Sequence, residues 1–342
     1  MNILVIRLGL LGDMMCTTPM LEAIKTHFPT GRLCLLSNEY NKPVVARNPF
    51  VDQIYTYIHT KDRYRNPRPG LFASLVDAWR LKRDLKRENF DWIIVCNAGF
   101  NKPSVRIAQG LGGKIISATR EDGSYEYRVD YPISGLLNEP IQHEVVRTFK
   151  LLDPIGIKQS ALPQHLTLTP EPKALESVQR LLQSLSKLSI IALHISARDP
   201  RREWPVSRFA ELIREFRKSA PVTFLIIYAP SDTERAIAIH QEVADIPHEL
   251  IAPTDTDALI ATISMSTLII CQEGGVLHLA AGLKTPVVGL FENTPEKIQG
   301  WYPWGCLHRL VYNQSSTGLI RDITSACVAS AALDLFHSLK KP

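Results

Sequence analysis

Short apolar runs alternate with longer amphipathic stretches along the whole chain. The runs at 3–6, 33–36, 54–58, 92–96 and 114–117 are rich in aliphatic and β-branched residues and end in polar or turn-forming ones. A strand covered on both faces reads as such an unbroken run, so these predict buried strands. Between them, 18–27, 71–88, 104–109 and 143–152 carry apolar residues at helical spacing. The same rhythm fills the second half, with strands expected at 190–195, 222–228, 268–271 and 287–291. Helices are expected there at 206–219, 233–243, 257–264, 276–283 and 322–339. Strands alternating with helices predict an α/β chain whose parallel sheets are covered on both sides.

A length of 342 residues allows two domains at roughly 150 residues each. The stretch 159–172 contains Pro163, Pro170 and Pro172 and reads as the linker. The expected organisation is a Rossmann-like domain over 1–160, a second over 173–320, and a C-terminal helix over 321–342 near their junction. Two such domains facing across a cleft would present ligands to the carboxyl ends of their strands. No repeat or low-complexity tract is visible in the sequence.

Charge and cysteine usage narrow the function classes. The net charge is +5, and it is uneven. Residues 1–170 carry 22 Lys and Arg against 16 Asp and Glu, whereas 171–342 carry 17 against 18. That excess is too small for a duplex-binding footprint, so no nucleic-acid partner is expected. It suits an anionic small molecule or a membrane surface. The six cysteines are scattered without a Cys-x-x-Cys pair and read as buried thiols. No apolar run approaches the roughly 18–20 residues of a membrane span. Arg7 and Asp13 interrupt the opening apolar run, which argues against a signal peptide and for a cytoplasmic location.

Several strand ends carry chemistry. Leu268 to Cys271 leads into Gln272-Glu273-Gly274-Gly275 and then an Ala-rich helix containing His278. A helix start exposes unpaired N–H groups and partial positive charge, and two glycines let an anion approach closely. The first strand ends in Arg7-Leu8-Gly9-Leu10-Leu11-Gly12-Asp13, which lacks the G-x-G-x-x-G dinucleotide spacing. Asp13 is either a dipole-friendly residue in a tight turn or a carboxylate held ready as a general base. The segment from His194 to Pro205 places Ser196, Arg198, Arg201 and Arg202 after a strand, as a solvated loop or a diphosphate grip. Asp255-Thr256-Asp257 matches a D-x-D metal pattern, but it directly precedes an apolar helix and has no preceding strand to aim it. An N-cap is the expected role there. His278 is a packed residue or a ligand, and no other His or Cys stands at metal-binding spacing. The basic loop around Lys61, Arg63, Arg65 and Arg68, extended by Lys42 and Arg47, is a surface loop or a clamp for an anionic sugar.

As a set, Gly12-Asp13 with Thr18-Pro19, Arg202-Glu203-Trp204-Pro205, Glu273-Gly274-Gly275 with His278, and Phe291-Glu292-Asn293-Thr294 resemble glycosyltransferase family nine, the ADP-heptose:lipopolysaccharide heptosyltransferases. The motifs span residues 1 to about 302 in order. The resemblance implies a GT-B fold, with acceptor bound by the first domain and nucleotide-sugar by the second. It also implies inverting, metal-independent transfer with an ADP-sugar co-substrate and no resident cofactor. Asp13 then falls on the catalytic aspartate, and Arg202 on a donor-binding lysine. Ser196 falls near the donor phosphates and Asp232 at the donor ribose. Glu273, Gly274, Gly275, His278 and Thr294 complete the donor set, while Gly12, Lys42, Arg63 and Arg65 belong to the acceptor side.

The implied acceptor is an anionic glycolipid of the lipopolysaccharide core, with peripheral contact at the inner membrane face. Two departures bear on the donor: Glu273-Gly274 replaces the family's usual Asp-Thr, and Glu292-Asn293 stands where Gly-Pro is common. They keep open a non-catalytic nucleotide-sugar binder, which would release no nucleotide on mixing donor and acceptor. A nicotinamide oxidoreductase is a further alternative. Against it stand the absent fingerprint and Ser37-Asn38-Glu39, a poor substitute for the ribose-binding acid.

Overall fold

The computed structural model describes residues 1–57, 71–120, 127–138, 140–183, 188–315 and 317–339. The chain divides into two compact units, Met1–Thr169 and Pro170–Pro342, so the boundary falls inside the proline-bearing stretch.

The first unit runs β1 (Asn2–Ile6), α1 (Leu11–Met15), α2 (Thr18–His27), β2 (Arg32–Asn38), α3 (Lys42–Val45), β3 (Gln53–Tyr57), α4 (Leu71–Arg87), β4 (Trp92–Val95), α5 (Lys102–Gln109), β5 (Lys114–Ala118), β6 (Tyr131–Ile133) and α6 (Glu144–Phe149). Its strands form one parallel sheet in the order β3-β2-β1-β4-β5-β6. Leu4 and Ile6 of β1 pack with Cys34, Leu36, Ile93 and Val95 of the flanking strands in the core. The single helix expected at 143–152 is shorter, because Pro154 has no N–H to donate. Residues Lys150–Ile155 continue it as a 3-10 turn.

The second unit runs α7 (Pro172–Leu181), β7 (Ser189–His194), α8 (Val206–Ser219), β8 (Val222–Ile227), α9 (Thr233–Glu242), β9 (His248–Ile251), α10 (Thr256–Ser264), β10 (Leu268–Gln272), α11 (Gly275–Gly282), β11 (Val287–Phe291), α12 (Pro295–Gly300), β12 (His308–Tyr312) and α13 (Ser325–Ser338). Its parallel order is β12-β11-β10-β7-β8-β9. Renumbered from its own first strand, that is the order of the first unit. The chain therefore carries a topological repeat that its sequence does not display. The alternation of strand and helix in both halves permits it without sequence identity. In each unit the order reverses between the first strand and the fourth, which opens the carboxyl ends of β1 and β4, and of β7 and β10, to a ligand.

The C-terminal helix does not stand apart as a third segment. α13 packs against α8 and β12 in the second unit, and Val328, Ala332, Leu335 and Phe336 join its core. Phe336 meets Phe216 edge-on at 5.6 Å, and Phe216 meets Phe224 at 5.9 Å. Trp204 is fully buried, and its indole N–H donates to the Ile323 carbonyl at 2.9 Å. The edge strands β6, β9 and β12 escape the hydrophobic pattern because they are short and mix polar with apolar residues. One sequence-based expectation is overturned here: β9 ends four residues before Asp255, so a strand does precede the acidic pair. Asp255 still caps α10, accepting from the Ala258 N–H at 2.8 Å.

His278 sits in α11 with 3% of its surface exposed, against Trp301 at 5.8 Å. Burial pushes its pKa from 6.5 down to about 4, since a charged imidazole there loses its water. The unfolded chain thus binds this proton first. The stability it confers is complete above about pH 6.5 and is lost as pH falls toward about 4. The loss amounts to about 3 kcal/mol by that point. Urea unfolding across this range is expected to show a shallower pH slope for His278→Gln than for the wild type. Equal slopes would mean that His278 is hydrated in the native state.

Candidate active site

β1 delivers Arg7 directly from the sheet into the interior, where only 1% of its surface is exposed. A buried guanidinium needs compensation from every side. It donates to the Cys96 carbonyl beyond β4, and its Nη2 lies 2.9 Å from Glu144 Oε1 and 3.0 Å from Asp13 Oδ1. Arg147 holds the second Glu144 oxygen at 3.0 Å. Burial alone would weaken the Arg7 charge, but Glu144, Cys96 and Asp13 outweigh it and keep the guanidinium more firmly protonated than usual.

Asp13 stands in the first turn of α1. Its Oδ2 accepts the Leu10 N–H at 2.6 Å while Oδ1 faces Arg7, and 25% of the side chain remains exposed. Both oxygens are thus fixed by donors, yet one face of the carboxylate is open. Gly9 makes this possible, because a Cβ there would lie 2.4 Å from Asp13 Oδ2. Two asparagines pin the preceding turn. Asn38 donates to the carbonyls of Leu8 at 2.9 Å and Gly9 at 3.0 Å, and Asn41 to those of Arg7 at 3.2 Å and Gly9 at 3.0 Å. Gly12 is buried in α1. Lys42 opens α3, which packs against α1, and it is half-buried with no ion pair among the described residues. Arg63 and Arg65 lie outside the described residues.

In the second unit, β10 runs out at Gln272 and α11 begins at Gly275. Gly274 between them has φ 151°, a conformation suited to glycine, and the space beside its Cα is open. The first N–H groups of α11 therefore emerge beside an unobstructed surface. Glu273 precedes them with its side chain only 5% exposed, and its Oε1 lies 3.0 Å from Arg202 Nε and 3.2 Å from Lys297 Nζ. Burial raises its pKa, and Lys297 and Arg202 oppose that shift. Both cations lie against Oε1 and offset its charge, while Oε2 has no hydrogen-bond partner among the described residues. Glu273 is a buried acceptor with unmet capacity.

The neighbouring loops are tied to this acid. Arg202 closes a 3-10 turn, Pro200–Arg202, capped by Asp199, and 30% of its side chain is exposed. Arg201 instead points outward and pairs with Asp199 at 2.6 Å. Ser196, just after β7, accepts the Ala229 N–H beyond β8 at 2.8 Å. Arg235 Nη1 lies 3.2 Å from both Asp232 and Glu203, and its Nη2 donates to the Trp204 carbonyl at 2.9 Å. That bridge fastens the Asp232 loop to the Arg202 loop. Thr294 caps α12 through the Lys297 N–H at 3.4 Å, which directs Lys297 toward Glu273.

Ser196, Arg202, Asp232 and Glu273 are thus gathered at the carboxyl ends of β7, β8 and β10. Four further residues belong to these networks and are not among the site residues expected from the sequence. Arg7 offers a signal, a charge closing an apolar strand, whereas Glu144, Arg235 and Lys297 sit in ordinary amphipathic helices. Among the described residues, no three His, Cys, Asp or Glu side chains converge as metal ligands.

Comparisons with known proteins give the family and the fold. The family model for glycosyltransferase family 9 (heptosyltransferase) matches residues 78–325. Lipopolysaccharide heptosyltransferase 3 of Escherichia coli K12 is 24% identical over 308 residues, covering 86% of this chain and 82% of that protein. A family 9 glycosyltransferase from Veillonella parvula superposes with a TM-score of 0.81 at 17% identity, covering 98% of this chain and 97% of that one. The E. coli ADP-heptose lipopolysaccharide heptosyltransferase II superposes with a TM-score of 0.76 at 19% identity over 100% of both chains. The chain belongs to glycosyltransferase family 9, the heptosyltransferase family, and is a glycosyltransferase of GT-B fold.

Proposed function

We propose that the protein transfers a heptose or a related sugar from an ADP-sugar to an anionic glycolipid of the lipopolysaccharide-core type, with inversion at the anomeric carbon. The observation that carries this reading is Asp13: a rigid, donor-held carboxylate with one face exposed, at the carboxyl edge of a Rossmann-like sheet. The names of the related proteins, which include an ADP-heptose transferase, supply the sugar and nucleotide class.

Glycosyl transfer passes through an oxocarbenium-like transition state, by analogy with glycoside hydrolysis. The acceptor hydroxyl loses its proton as it attacks, and the departing diphosphate gains charge. Asp13 takes that proton. Glu144 cannot share the role, because it is buried between Arg7 and Arg147. A single active carboxylate fits direct displacement rather than a covalent glycosyl intermediate.

On the donor side, Arg202, Lys297, the Ser196 hydroxyl and the N–H groups at Gly274 and Gly275 hold the diphosphate. These cations supply what a divalent ion supplies elsewhere, which is why we propose metal-independent transfer without a resident cofactor. Asp232 receives the ribose, and Glu273 uses its unmet acceptor capacity on sugar hydroxyls. Gly12 and Lys42, with Arg63 and Arg65, serve the acceptor. Such an acceptor places the reaction at the cytoplasmic face of the membrane.

Asp13→Asn is expected to lower transfer by roughly 10²–10⁴-fold while ADP-sugar affinity in calorimetry stays the same. A variant turning over near the wild-type rate would remove Asp13 as the base. Gly9→Ala should displace the same carboxylate and cost on the order of 10²-fold in transfer, again with nucleotide binding intact. Full activity in that variant would show that the tight turn does not matter for catalysis. Arg202→Ala should weaken ADP binding by about 10- to 100-fold, the value of a charge-assisted contact. Unchanged affinity in a variant with a native melting profile would take Arg202 out of the donor site.

A further inference from the structure

The longest helix of the first unit carries a face that its own core does not use. In α4, Ser74 and Leu85 are buried toward the sheet, and Leu81 is partly so. The adjacent stripe, Leu75, Trp79, Lys82 and Lys86, follows the i, i+4, i+7, i+11 spacing of one helical surface. In a core-facing helix such a stripe would be covered. Here Leu75 is 64% exposed and Trp79 is 62% exposed. Arg83 lies over the Trp79 ring at 5.3 Å.

Beside this stripe a cavity of about 510 Å³ opens between α4 and α5. Tyr57, Leu81, Leu85, Ile107 and Leu111 form its apolar floor, and Lys82 and Arg106 stand at its rim. The acids of α4 do not neutralise this side. Asp77 approaches Arg80 at 3.8 Å, and Asp84 approaches Arg83 at 2.9 Å and Arg87 at 3.9 Å. Lys82, Lys86 and Arg106 pair with no carboxylate among the described residues.

We propose that this α4–α5 face docks the protein on an anionic phospholipid bilayer. Trp79 and Leu75 enter the headgroup boundary, Lys82, Lys86 and Arg106 meet lipid phosphates, and the cavity receives the upper part of an acyl chain. An exposed Trp and Leu framed by cations is what an interfacial helix presents to a bilayer. A protein partner of ordinary composition would leave those cations unmatched, whereas an anionic leaflet matches all of them. None of these residues belongs to the Arg7–Asp13 network, and the face would hold the enzyme at the surface where a lipid-borne acceptor resides. It rests on the proposed function only for that purpose.

The test is sedimentation of the full-length protein with phosphatidylcholine vesicles, with and without phosphatidylglycerol, at low and high salt. Binding is expected only with phosphatidylglycerol and should weaken as salt screens the charges. A Leu75→Ser/Trp79→Ser variant should lose most of the bound fraction. Lys82→Gln and Lys86→Gln should each lower partitioning about fivefold. All should keep wild-type transfer to a deacylated, soluble acceptor. No binding to phosphatidylglycerol vesicles, or binding indifferent to these substitutions, would overturn the proposal. A lipid-free dimer abolished by the Leu75→Ser/Trp79→Ser change would also overturn it and assign the face to a second copy. Vesicle binding that persists in a protein without transferase activity would sink the proposed function and leave this one standing.

Discussion

The guanidinium of Arg7 is the constraint around which the first unit is organised. A charge taken out of water at the end of a central strand is tolerated only where opposite charges and acceptors offset it. The chain supplies it from two places distant in sequence, the Cys96 carbonyl after β4 and Glu144 at the start of α6, and from nearby Asp13 on α1. Satisfying Arg7 therefore fixes Asp13. The geometry of the carboxylate we propose as the base becomes a by-product of a folding requirement.

The second unit uses the same elements for the opposite purpose. Its topology repeats that of the first, and its acid again follows a central strand and meets basic side chains. Exposure separates the two roles. Asp13 keeps a quarter of its side chain open, as the proposed proton acceptor requires, whereas Glu273 is 5% exposed, as suits the fixed acceptor proposed for it. The longer Glu side chain spans Arg202 and Lys297 together, so the departure from the family's shorter acid is accommodated by cations on two separate loops. Loss of the neighbouring Thr hydroxyl leaves the backbone at Gly274 open.

The α4 helix shows how one amphipathic segment can serve two surfaces. Its inner stripe completes the core, while the next stripe around the helix carries large apolar residues into solvent. Hydrophobic periodicity does not separate Leu75 and Trp79 from the apolar residues of the inner stripe. Only the position of the sheet reveals which of them is spare.

The sequence by itself determined the two α/β halves, the central strands, the glycine-opened helix start after Glu273 and the position of Asp13 in a turn after the first strand. These are local facts: an apolar run makes a buried strand, and two glycines before an Ala-rich segment make an accessible helix N-terminus. The motif order also placed the chain in its family, since spacing along the chain survives when most residues change. It did not determine the edge strands β6, β9 and β12, whose mixed residues depend on pairing with a neighbour already in place. Nor did it place α13 in the second core, a choice made by Phe216 and Phe336 meeting from positions 120 residues apart. The partnerships that matter most, Arg7 with Glu144 and Glu273 with Lys297, exist only after folding. A carboxylate in a helix carries no mark of the cation it will meet, and burial supplies the reason that it must meet one.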